Sequence, residues 1–157
     1  MNTTHPLRLL ALSVALMFGF SGAAVVRAAD QAPAGIHVTN AWIRSLPAGV
    51  PLAGYLTITN DSAQAVVLRG VSSPEFAMAH LHQSYTGPDG NSHMRMVPQL
   101  RIPAHGTVRL APGGYHLMLM GPRKDLKPGD TATLELHFEG GKTVHVPMSV
   151  KPADYTG

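Results

Sequence analysis

"GGYHLMLMG", Gly113–Gly121, is the stretch on which the fold turns. Side chains of a β-strand alternate with period 2. Tyr115, Leu117 and Leu119 therefore take one face, and His116, Met118 and Met120 the other. A half-buried strand pairs an apolar face with a polar one. Here the face that should meet water carries an imidazole and two thioethers.

Working outward, further short alternating or β-branched runs appear. Strands are predicted at Ile36–Arg44, Ala53–Asn60, Ala65–Val71, Phe76–Tyr85 and His93–Val97. Others are predicted at Gly106–Leu110, Tyr115–Met120, Thr131–Phe138 and Thr143–Val150. Turn chemistry separates them: "TNDSA", "SSPE", "TGPDGN", "APGG", "GPRKDLKPGD" and "EGG". No segment holds a helical period, and "PRKDLKPG" is the one candidate for a helical turn. Many short strands at this spacing predict an all-β sandwich or barrel of about 8–9 strands. Alternation predicts a core of Trp42, Leu56, Ile58, Val67, Leu81, Leu110, Leu117, Leu119, Leu134, Leu136, Val144 and Val146.

The first residues read differently. His5 and Arg8 precede an apolar run, Leu9 to Phe20, and small residues follow up to "VRAAD". Twelve residues fall short of the roughly 18 that a membrane span needs. Basic start, short apolar middle and small-residue end describe a secretory leader. Residues 1–28 are expected to be a cleaved signal peptide and 29–157 a single exported domain. Arg8 and Arg27 lie in that leader. Ten of the 12 Lys+Arg then remain against 9 Asp+Glu, a net charge of +1. That near-neutral balance argues against nucleic acid as a partner. No basic amphipathic helix is present for a membrane surface, and no membrane insertion is expected once the leader is removed.

Cysteine is absent, so the exported chain must hold together through its core alone. Thiolate is also excluded, both as nucleophile and as metal ligand. No G-x-S-x-G turn offers a serine nucleophile.

Of eight methionines, Met1 and Met17 lie in the leader, and four of the other six fall between Met94 and Met120. "MAHLHQSYTGPDGNSHMRMV" reads as a hairpin, and a loop centred on Pro88 would put His82 across from Met94. On that register His80, His82, Met94 and Met96 share a face, with Leu81 and Val97 behind them. Two segments thus each carry a His/Met face backed by Leu/Val. Core filling is one explanation, since Met packs irregular gaps. Soft-metal binding is the other, since thioether sulfur favours copper(I). Met96 and Met120 fit either a core or a supporting role, and His80 is an alternative ligand. His93 has the wrong parity for this face. His37, His105, His137 and His145 read as ordinary histidines.

"HLHQ", "HMRMV", "IPAHGTVRLAPGGYHLMLMG" and "LKPGDTATLELHFEGG" together resemble the periplasmic copper chaperone family PCuAC, over about Ile36 to Val150. That family's pattern is a His, a Met somewhat over ten residues later, twenty-one residues, then H-x-M. Here residues 95–115 separate Met94 from His116, and His82 precedes Met94 by twelve positions. The resemblance implies a cupredoxin-like fold, with His82, Met94, His116 and Met118 as ligands of copper(I). It implies a periplasmic, non-enzymatic carrier whose partners are copper-donating or copper-accepting proteins of cytochrome c oxidase assembly. Some relatives have a His/Met-rich C-terminal extension suited to copper(II). "VKPADYTG" is not of that kind, so no tail-based copper(II) site is expected.

Four neutral donors suit a monovalent cation, because no uncompensated ligand charge is buried with it. Blue-copper electron transfer requires a Cys and is excluded. Two other readings stay open. One is a zinc-binding protein or metalloenzyme using His80, His82, His93 or His116, which leaves the methionines unexplained. The other is a β-sandwich interaction module without metal.

Overall fold

A computed structural model describes Met1 and residues 32–157; the expected signal peptide lies outside the described residues. Ten strands follow one another: β1 (Ile36–Arg44), β2 (Leu52–Asn60), β3 (Val66–Ser72), β4 (Phe76–Thr86) and β5 (Ser92–Met96), then β6 (Leu100–Ile102), β7 (Gly106–Leu110), β8 (Tyr115–Pro122), β9 (Thr131–Phe138) and β10 (Lys142–Lys151). All nine predicted strands are present. The tenth, β6, is a three-residue strand between Pro98 and Pro103 that raises the count above the predicted 8–9.

The strands join in the order β5-β4-β8-β2-β1-β10-β9-β3-β6, with β7 added to β2. Only β1 and β10 run parallel; the other pairings are antiparallel. This path is open at β5 and β6. The architecture is therefore a sheet folded over its own apolar face, not a closed barrel. Buried residues from β1, β2, β4 and β8 meet those of β3, β9 and β10 in one core. Leu117, Leu119, Leu136 and Ile58 sit at its centre, fully buried. Asn60 and Thr143 are the buried polar residues among those described, and Asn60 is buried completely. The Asn60 Nδ2 donates to the Gln64 and Pro103 carbonyls, and its Oδ1 accepts from Ser62. Both ends of the amide are satisfied, as burial demands, and the end of β2 is tied to the turn before β7.

Two local expectations are corrected. Val67 is only partly buried, and Val66 and Leu68 face the core instead. A bulge between Leu68 and Gly70 changes the parity of β3, so that Val71 packs inward as well. One inserted residue swaps the faces of a strand. "PRKDLKPG" forms no helical turn. The Arg123 N–H donates to the Glu75 carbonyl, and the Lys127 N–H to the Asp130 carboxylate. Leu126 is buried in the core. Those long-range and turn bonds replace the i to i−4 ladder.

Candidate metal centre

The hairpin β4–β5 and strand β8 position the site. Along β8, Leu117 and Leu119 are buried, while His116, Met118 and Met120 lie on the outer face and are half-buried. Strand β4 lies directly beside β8 with three same-face pairs in succession: His82 opposite His116, His80 opposite Met118, and Met78 opposite Met120. On the other edge of β4, His82 faces Met96, and Met94 faces Ser84. The predicted His82–Met94 pairing is thus corrected by two residues. Thr86 pairs with Ser92, so the loop is Gly87 to Asn91. It is held by the Asp89 carboxylate, which accepts from the Asn91 N–H, and by Gly90 at φ 75°. A shift of two leaves every side chain on its expected face.

The sequence-predicted residues converge unequally. Nε2 of His116 lies 3.2 Å from Sδ of Met94. The His82 and His116 rings are 6.0 Å apart, and those of His80 and His82 6.4 Å. Met118 sits one row along β8 from His116 on the same face, beside His80 and Ala53. His93 is excluded: its ring stacks on Tyr85 and its Nε2 bonds the Asp89 carboxylate. Of the histidines elsewhere, His37 pairs with Asp61, and His137 bonds Ser72 and Thr143.

One backbone group went unanticipated. Nδ1 of His116 is 3.1 Å from the Gly114 carbonyl. A carbonyl only accepts, so the proton of this bond sits on Nδ1, and Nε2 is the ring atom turned toward the Met94 sulfur. The Gly113–Gly114 turn before β8 makes this possible, and "PGG" is the only sequence signal that could have pointed to it.

His82 supplies an unsatisfied donor, because its Nδ1 is buried without a hydrogen-bond partner. Burial, and then the proximity of His116 and His80, hold its pKa below the ordinary histidine value. The ring is therefore neutral at pH 7, with a lone pair free for an electrophile. Followed by NMR in the apo protein, the His82 ring is expected to titrate below about 6.5. Replacing His80 and His116 by Gln should raise that midpoint only in part, because burial is the larger cause. Full return to the ordinary value would mean that charge repulsion dominates. The sign for stability follows. A depressed histidine pKa favours the fold above the ordinary value, and that contribution is lost as pH falls through the folded value.

The surroundings are apolar and open. Met78, Met94 and Met96 are 51%, 49% and 60% exposed. Among the described residues, no group of three or more His, Cys, Asp or Glu is placed to hold a metal ion. A hard divalent site of oxygen and nitrogen donors finds no support there. Nor is any helix of the described residues long and apolar enough to cross a membrane.

Known proteins can be set beside this geometry. Residues 36–150 match the family model LpqE-like, described as "Putative lipoprotein LpqE-like". A "Putative lipoprotein Lxx21020" of Leifsonia xyli subsp. xyli is 31% identical over 99% of this chain and 95% of its own. The copper(I) form of DR1885 from Deinococcus radiodurans, solved in solution, superposes with a TM-score of 0.61. It shares 35% identity over 82% of this chain and 85% of that one. A copper-bound PCuAC domain from PmoF2 gives a TM-score of 0.62 at 24% identity, covering 75% of this chain and 93% of the domain, and speaks for the fold alone. With its cupredoxin-like architecture and a family match that runs from β1 to β10, the chain belongs to the LpqE-like family of PCuAC-type proteins.

Proposed function

We propose that this protein is a copper(I) carrier, with His82, Met94, His116 and Met118 as the ligands of its cargo. The observation that carries this reading is Nε2 of His116 set 3.2 Å from the Met94 sulfur while Nδ1 is engaged by the Gly114 carbonyl. Placed around one first-row metal ion, with bonds of about 2.0 Å to nitrogen and 2.3 Å to sulfur, tetrahedral donors stand about 3.5 Å apart. The orphaned His82 nitrogen on the same face supports the reading. So does a 35% identical relative whose solved form holds copper(I). Thioether and neutral imidazole are the donor types that prefer the cuprous ion.

The half-exposed position of Met94 favours transfer over storage. A partner's ligand bonds to the ion as one of the four protein donors leaves, and the ion passes on with no change in oxidation state. This role needs no catalytic residue. The leader-like N-terminus and the lipoprotein names of the family model and of the Leifsonia relative support export to the periplasm. Delivery to the copper centres of cytochrome c oxidase is the destination that the family resemblance implies.

The test is a parallel anaerobic titration of the purified protein with copper(I), against a competing chelator, and with zinc(II). One tight copper(I) equivalent and weak zinc are expected. Tighter zinc than copper, or no copper(I) binding, would overturn the proposal.

A further inference from the structure

Copper(I) ligation as proposed uses two of the six methionines beyond the leader. A third, Met148, is fully buried, and its Cε packs over Gly54, 3.3 Å from where a Cβ would stand there. Met148 is a true gap-filler. Met78 and Met120 are not: they face each other across β4 and β8 on the outer face, and Met78 is half exposed. Core packing explains nothing about a thioether pair in that position.

The pair is the last of three consecutive rows. His82/His116, His80/Met118 and Met78/Met120 succeed one another at two-residue steps, about 7 Å per row. Directly opposed side chains have Cβ atoms about 5 Å apart, close enough for two flexible thioethers to meet on one ion. His80, two residues from Met78 on the same face, supplies an imidazole between the rows. The next cross-strand neighbours hold the strands close: a Cβ at Gly121 would lie 2.9 Å from that of Ala77. The side chains of these three rows are all soft or borderline donors: three imidazoles and three thioethers.

We infer that Met78, Met120 and His80 form a second, weaker site for a soft monovalent cation, a transfer station at the outer end of a donor ladder. The inference rests on the copper(I)-carrier reading. The ion moves along the rows by exchanging one donor at a time: with Met118 still bound, a bond to His80 forms as one to His116 breaks, and bonds to Met78 and Met120 then form as those to the remaining inner donors break. No electron is transferred. Three donors, one of them half exposed, hold the ion less tightly than four, which sets the direction of filling.

Silver(I), a redox-inert soft cation, serves as the probe, with methyl-labelled methionine in the full chain and NMR as the readout. The first equivalent is expected to shift the Met94 and Met118 methyls, and the second those of Met78 and Met120. The Met78→Leu, Met120→Leu double variant, conservative in volume, should keep the first equivalent and its unfolding temperature and lose the second. If Met78 and Met120 do not move, move together with the first pair, or prove dispensable for the second equivalent, the station is overturned and the carrier reading stands. If the first equivalent leaves Met94 and Met118 unmoved, the four-ligand reading fails and the ladder fails with it.

Discussion

His116→Ala is expected to lower copper(I) affinity by at least about 100-fold, with the apo protein still folded. Loss of groups that merely orient a ligand costs roughly 10–100-fold in metal affinity, and here a proposed ligand itself is removed. The His116 ring is the hub of the site: its Nε2 abuts the Met94 sulfur, and it lies across from His82. Folding loses much less. The ring is on the outer face of β8, and what it gives up is one hydrogen bond to the Gly114 carbonyl, worth about 1 kcal/mol. For a chain of this size that amounts to a fall of a few degrees in Tm. Competition against a copper(I)-specific chelator measures the first effect, and thermal unfolding without metal the second. Unchanged affinity would show that the ion is held elsewhere, whereas a chain that no longer folds would make His116 a structural residue.

The faces of the site strands were readable in the sequence because alternation in β8 runs without interruption from Tyr115 to Met120, and the same holds for β4 from Ala79 to Gln83. Pairing was not readable to the same degree. Loop length sets hairpin register, and the Asp89–Asn91–His93 bonds that shape this loop are side-chain contacts that no turn propensity encodes. The shift was an even number of residues, so it left each side chain on its expected face. In β3 the error was odd. A bulge opposite β9 put Leu68 where Val67 was expected. Still less visible was the tautomer of His116, which depends on a backbone carbonyl in the preceding turn. The cross-sheet order, with β1 and β10 parallel, is a tertiary choice that local pattern does not constrain.

Leu117→Ala, one residue along the chain, is expected to do the reverse of His116→Ala. Leu117 is fully buried, pairs with Leu81 on one side and Gly54 on the other, and covers the Gly54 backbone. No side chain at position 54 can move in to fill the space. Met148, already packed at that point, offers partial relief through its flexible stem. Such truncations cost about 2–5 kcal/mol, out of a total stability of about 5–15 kcal/mol. Urea unfolding of the apo protein should register this as a much lower midpoint with an unchanged slope. Met118→Leu, the next residue, conserves volume on the outer face and should shift the midpoint by less than about 1.5 kcal/mol while weakening copper(I) binding. An unchanged midpoint for Leu117→Ala, or an unfolded Met118→Leu, would mean that the two faces of β8 have been assigned in reverse. Binding is coupled to folding, so the effects can be set against each other. Copper(I) in 100-fold excess over its Kd adds about 2.7 kcal/mol and should restore most of the midpoint lost in Leu117→Ala. In the Leu117→Ala, His116→Ala double variant the metal should restore little.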